Sequence, residues 1–268
     1  RPQADPDETR AEVTFYVRVP LNTPQEESIF LSTLDEVTGL GVNAQAHLME
    51  PAIGESDPQE EGLIYKTTLE IPPGTNLKYR YTRQNQYAVI EHTQIDEQVR
   101  YRLARIDGPM EIRDVILKWS DTTYEGKLPG RISGTIRDER NGDPLPGVLV
   151  TAGGAQAITT ANGSFLLSGL PPGTHNLVAY ALDGSYQLAQ QGAQVASQAN
   201  TEANLQLAPR DFVDITFVVD VPPGTPENSV HLAGNLYQLG NTFGNLAGGM
   251  NTIPARMPQL TSVGLNQY

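Results

Sequence analysis

Val13, Phe15, Val17 and Val19 alternate with Thr14, Tyr16 and Arg18, a period of two that places four apolar side chains on one face of a β-strand. Pro20 and the run Asn22-Thr-Pro then end it. Further strands are predicted at 28–34, 63–71, 76–83, 87–91, 99–105 and 111–119, each bounded by turn formers. Seven short strands of this kind fit an antiparallel sandwich of about 100 residues. A second series at 131–137, 148–152, 155–160, 164–168, 174–182 and 203–207 is shorter and more closely spaced, with Asn141-Gly-Asp-Pro and Ala161-Asn-Gly as turns. It suits a small sandwich of about 80 residues.

The pattern then restarts. Val213, Ile215, Phe217, Val219 and Val221 alternate with Asp214, Thr216, Val218 and Asp220, followed again by proline, threonine and proline. Aligned over 12 positions, VTFYVRVPLNTP at 13–24 and ITFVVDVPPGTP at 215–226 share seven residues: Thr14/216, Phe15/217, Val17/219, Val19/221, Pro20/222, Thr23/225 and Pro24/226. This is an internal repeat with a 202-residue offset. It covers only the front half of the first unit, since Tyr268 falls about where Tyr65 does.

The expected architecture is therefore all-β: tandem antiparallel sandwiches of the immunoglobulin-like or prealbumin-like kind, the third incomplete. The expected divisions are an N-terminal extension at 1–10, a sandwich at 11–121, a linker at 122–129 (SDTTYEGKLPG lies across it), a sandwich at 130–209, and half of another at 210–268. Two or three strands of a seven-stranded sandwich expose an apolar face and unpaired edges, so something must cover them. Either further chain of the same long polypeptide does so, or a neighbouring molecule donates the missing strands. Ile215, Phe217, Val219, Val221 and Phe243 are the candidate contact residues, with 213–221 and 230–233 as the receiving edge.

Charge removes one class of partner. The chain carries 31 acids against 18 bases, net -13, with 22 acids and 13 bases in residues 1–129. That is the wrong sign for gripping phosphate backbones, so no nucleic acid is expected. Cysteine is absent, which rules out disulfides and thiol nucleophiles. No apolar run reaches the roughly 20 residues of a membrane span.

Two resemblances follow from quoted stretches. VTFYVRV, LGVN at 40–43, LEIPPGTNLKYRYTR at 69–83, IEH at 90–92, VRYRL at 99–103 and DVILKW at 114–119 make residues 11–121 similar to the starch-binding modules of carbohydrate-binding family 20. AGNLYQLGNTF at 233–243 repeats one of these landmarks. SGTIRD at 133–138, PLPGVLVT at 144–151 and TTANGSFLLSGLPPGTHNL at 159–177 make the middle segment resemble the carboxypeptidase regulatory-like family, a transthyretin-like sandwich. The second resemblance implies an accessory module without a zinc site, often a spacer in surface proteins. The first implies sugar stacking on two tryptophans, but Asn43, Thr242 with adjacent Phe243, and Ile90 stand at those landmarks. Trp119 matches a closing-strand position and is expected to pack.

Tyr79, Tyr81 and Tyr87 form an alternative sugar platform, because Tyr79 and Tyr81 share one strand face by parity. No metal or cofactor is called for. The loop 50–62 holds Glu50, Glu55, Asp57, Glu60 and Glu61. Calcium favours such oxygens, but the spacing matches no known calcium loop, and a solvated loop is expected. His47, His92, His175 and His231 are scattered, and no GxSxG, HExxH or phosphate loop occurs. Asn162-Gly-Ser is a glycosylation acceptor inside a predicted tight turn. The reading is a non-catalytic structural array of a secreted or cell-surface protein, a spacer or fibre subunit that self-associates. The alternative is a starch- or α-glucan-binding protein, or the accessory part of a glycan-degrading enzyme.

Overall fold

The computed structural model describes residues 10–35, 39–41, 44–57, 62–85, 88–226, 228–234, 236–240, 254–264 and 266–268. It is nearly all β. In the first body the strands are β1 (Ala11–Arg18), β2 (Ile29–Thr33), β3 (Gln45–Pro51), β4 (Ile64–Ile71), β5 (Thr75–Arg83), β6 (Val89–His92), β7 (Arg102–Ile106), β8 (Met110–Val115) and β9 (Lys118–Trp119). They form one curled sheet in the order β8-β1-β4-β3-β2-β5-β6-β9, with β7 on β5. The sheet folds over itself because β3 pairs with β2 along five residues but reaches β4 only at Glu50 and Pro51. The predicted sandwich is therefore present, with one departure from antiparallel pairing: β1 runs parallel to β8.

The alternation in β1 decides where the core lies. Val13, Phe15 and Val17 are fully buried, and Phe15 meets Tyr79 of the facing layer edge-on at 5.2 Å between ring centres. Each such side chain contributes about 1.5–3 kcal/mol through burial. Trp119 closes the same core, as its position in the sequence suggests, and its indole Nε1 donates to Thr23 Oγ1 at 2.8 Å.

The second body comprises β10 (Gly130–Asp138), β11 (Val148–Ala152), β12 (Ala155–Ile158), β13 (Ser164–Leu170), β14 (Gly173–Ala181), β15 (Ala189–Val195), β16 (Asn200–Glu202) and β17 (Leu205–Leu207). Two sheets pack together: β13-β10-β16 with β17 on β10, and β12-β11-β14-β15. Ile132, Ile136, Leu167, Leu177, Val195 and Leu207 lie between them. His175 is sealed in this region with Nε2 2.8 Å from the Pro171 carbonyl oxygen, while Nδ1 has no partner. Gly153, at φ +55°, leaves room for that ring, since a Cβ there would stand 2.7 Å from Nδ1.

The two bodies share an apolar cluster: Leu34, Tyr101 and Leu103 from the first, with Leu149, Val178 and Leu188 from the second. Beside it, the open edge of β7 and the residue before it are capped by side-chain amides of the second body. Gln156 donates to the Tyr101 carbonyl at 3.4 Å, Asn176 to Leu103 at 3.1 Å and Gln190 to Arg105 at 2.7 Å. Gln190 Oε1 also accepts from Arg105 N at 2.9 Å, completing a two-way bond. Alternate carbonyls of an edge strand point the same way, and here each meets an amide instead of water.

The strands expected at 213–221 and 230–233 are not formed. Among the described residues of this part, β pairing is limited to isolated bridges, Asp220 to Gln267 and His231 to Gln259 among them. A ladder needs two strands, and β1 has β4 and β8 beside it where the later copy has little.

Candidate functional site

Tyr79 and Tyr81 do share a face, as parity requires, but it is the inner one. Both rings are fully buried, so neither can stack on a sugar, and the expected platform is corrected on that ground. The third member, Tyr87, lies outside the described residues, as do Asn43, Thr242 and Phe243. Both described hydroxyls donate to Asp114 Oδ2, at 2.8 and 2.9 Å. Arg102 donates to Asp114 Oδ1 at 2.9 Å and to Glu91 Oε2 at 2.7 Å, while Glu91 Oε1 accepts from Tyr81 N at 2.9 Å. Burial and the neighbouring Asp114 carboxylate push both phenols well above their ordinary pKa. The cluster pairs its charges internally and holds strands β5, β6, β7 and β8 in register. Sequence reasoning missed it because Glu91, Arg102 and Asp114 converge only through sheet pairing.

The acidic loop behaves as arginine counter-charge. Asp57 pairs with Arg18 at 3.0 Å and Glu55 with Arg113 at 3.0 Å, while Glu60 and Glu61 lie outside the described residues. Among the described residues no group of three His, Cys, Asp or Glu could hold a metal ion. Likewise, none of their helices is long and apolar enough to cross a membrane. His47 lines a cleft of 440 Å³ where β3 and β4 diverge, with Thr33, Gln45, Leu69, Asn76 and Lys78 around it. Burial lowers the His47 pKa, and the Asn76 amide oxygen is enclosed there without a hydrogen-bond partner.

The repeat supplies the most distinctive surface. Its turn repeats the Pro-x-x-Thr bonds of the first copy. Thr23 donates from N and Oγ1 to the Pro20 carbonyl at 3.0 and 2.7 Å, and Thr225 does the same to Pro222 at 3.2 and 2.8 Å. Val19 N donates to Leu63 O at 3.0 Å, and Val221 N to Asn266 O at 2.9 Å. Val17 faces Tyr65 across the β1–β4 ladder, and Val219 exchanges backbone bonds with Tyr268 at 2.8 and 3.1 Å. Tyr268 is therefore the counterpart of Tyr65. The core face is not reproduced: Val213 is 81% exposed, Ile215 67% and Phe217 45%. Of the other predicted contact residues, Val219 is exposed to an intermediate degree, as is Val221.

Residues 131–208 match the model of the carboxypeptidase regulatory-like domain. None of the curated proteins searched matches the chain. Among solved structures the chain is similar to a leucine-rich repeat protein from Bacteroides thetaiotaomicron VPI-5482, at 15% identity and a TM-score of 0.25, covering 76% of this chain and 27% of that one. The shaft pilin SpaA from Lactobacillus rhamnosus GG is matched at 10% identity and TM-score 0.25, over 77% of this chain and 100% of that one. GBS52, the minor pilin of Streptococcus agalactiae, is matched at 11% identity and TM-score 0.28, over 76% and 99%. The chain spans about a quarter of the first of these, and likenesses this distant transfer nothing to it.

Proposed function

We propose that this chain is a non-catalytic spacer of a secreted or cell-surface assembly, built from modules at 11–121, 130–209 and 210–268 and contacting its neighbours through the last. The observation that carries this reading is the amide capping of β7 by Gln156, Asn176 and Gln190. A spacer must hold an orientation, and backbone capping together with a shared apolar cluster fixes one. The regulatory-like match at 131–208 supports an accessory role. The converging ionisable groups support it too, since Arg102, Glu91 and Asp114 are sealed away from any substrate. Small-angle scattering of the purified chain tests the reading: the first two modules give one fixed distance distribution, whereas independently moving modules would overturn it.

Glycan binding is the second reading, and the cleft between β3 and β4 favours it. Polar side chains line it, Thr33, Gln45, His47 and Asn76 among them, and such groups bond sugar hydroxyls. Retention on an α-glucan column that disappears with Asn76→Ala would support this reading, and absence of retention would end it.

A further inference from the structure

The turn Pro171-Pro172, which joins β13 to β14, lies between a buried histidine of the second body and a buried arginine of the first. On one side the Pro171 carbonyl oxygen accepts from His175 Nε2 at 2.8 Å. On the other, the Pro172 carbonyl oxygen accepts from the Arg18 guanidinium of β1, which also pairs with Asp57 at 3.0 Å. Gly173 then brings β14 against β8. Its φ is +140°, and a Cβ there would stand 2.7 Å from Val115 and 2.8 Å from an Asp57 carboxylate oxygen. Two successive carbonyls thus bind one imidazole and one guanidinium to the same turn.

Resting on the spacer reading, we propose that protonation of His175 releases the Pro171–Gly173 turn from the first body and so unlocks the joint between the two bodies. A carbonyl can only accept, so the ring proton sits on Nε2 and a second one would go on Nδ1. Nδ1 lies beside Gly153, is fully enclosed and finds no acceptor. The charges that face the ring come from the first body: Arg18 of β1 and Arg102 of β7 oppose a cation, and Asp114 of β8 favours one. Asp114 is already shared by Arg102, Tyr79 and Tyr81, and Asp57 is taken by Arg18. An imidazolium is therefore stable only in water, and the ring reaches water only when the turn bonded to it lifts. The ring's pKa is about 4 when enclosed against 6.5 in water. The closed joint thus keeps its full stability above pH 6.5 and loses it as pH falls toward 4.

The test is backbone amide exchange of the full chain at pH 7 and at pH 4.5, corrected for the intrinsic effect of pH. The reporters are residues 173–176 on β14 and Arg105 on β7, whose N–H donates across the joint to Gln190 Oε1 at 2.9 Å. Amides of β2 and β10, each paired on both edges, are the reference. The expected result at pH 4.5 is acceleration of the reporters over the reference by at least about tenfold, reduced to less than about twofold in His175→Gln. In the native chain the acceleration follows the shift of the His175 Cε1 proton in NMR, a reading that holds even if the variant does not fold. Unchanged reporters overturn the proposal, and so does equal acceleration of reporters and reference, since acid then unfolds the chain as a whole. Acceleration that persists in His175→Gln, or that departs from the His175 shift, overturns it too, because carboxylates are then the trigger. The spacer reading is tested separately, by scattering at pH 7, where the joint is closed whether or not acid opens it.

Discussion

Val17 and Val219 occupy equivalent places in two copies of one motif, 202 residues apart, and make equivalent backbone bonds. Two positions earlier the copies part: Phe15 is wholly buried and Phe217 is 45% exposed. The local sequence is the same Thr-Phe pair, so the difference lies in what stands opposite. β4, β8 and Tyr79 surround the first phenylalanine, and nothing comparable among the described residues reaches the second. A turn closed by Pro-x-x-Thr bonds forms from nearby residues alone, whereas an apolar face is dry only if distant residues cover it.

The largest effect that would test this contrast is truncation of the two phenylalanines. Phe15→Ala is expected to cost about 3–5 kcal/mol in urea unfolding followed by Trp119 fluorescence, and Phe217→Ala less than about 1 kcal/mol. Equal losses would break the comparison, because Phe217 would then be covered in solution. Removing the charge that holds the first core together is of similar size. Arg102→Met strands Glu91 and Asp114 among buried groups and is expected to cost about 3–5 kcal/mol, with partial recovery when Asp114→Asn is added.

His175 gives a pH-dependent version, set in the second body rather than the first. Burial lowers its pKa from 6.5 to about 4. Above pH 6.5 the group is neutral whether folded or unfolded and makes no pH-dependent contribution. Between the two values the unfolded chain takes up a proton that the folded chain refuses, so stability falls as pH falls. The loss reaches about 3 kcal/mol near pH 4. Urea unfolding at pH 7 and at pH 4.5 should show this slope in the native chain, and His175→Gln should be flatter by that amount.

Smaller effects probe the module joint and the turns. Asn176→Ala uncaps the Leu103 carbonyl and Gln190→Ala both the carbonyl and the N–H of Arg105, at about 1 kcal/mol per backbone group. Both together should broaden the scattering distance distribution if the amides fix orientation. Thr23→Val removes a hydroxyl that bonds both the Pro20 carbonyl and the Trp119 indole, and about 1 kcal/mol is expected. Thr225→Val removes the first kind of bond only, at an exposed turn, and should stay within about 0.5 kcal/mol.

Much of the fold was legible where apolar residues alternate, as in β1, or run together between turn formers, as in β11 and the front of β13. β3 and β15 were not anticipated. QAHLMEP buries only Met49, and AQQGAQV carries glutamines and a glycine, so neither has a periodic apolar face to announce it. Their ladders to β2 and β14 hold them extended. The candidate sugar site failed for a related reason. Alternation says that Tyr79 and Tyr81 point the same way, but not whether that way is inward, and the Asp114 beneath them lies more than thirty residues on.

What the sequence alone determined is local: the repeat, the turns at Pro20 and Pro222, the all-β character and the regulatory-like pattern of the middle segment. These depend on backbone preferences and side-chain periods that act within a few residues. Only the tertiary structure decided which tyrosines face inward, which amides cap β7, and which of two like segments forms a strand with its apolar face covered. Those outcomes depend on groups brought together from far along the chain, and burial belongs to the assembled surroundings rather than to the residue.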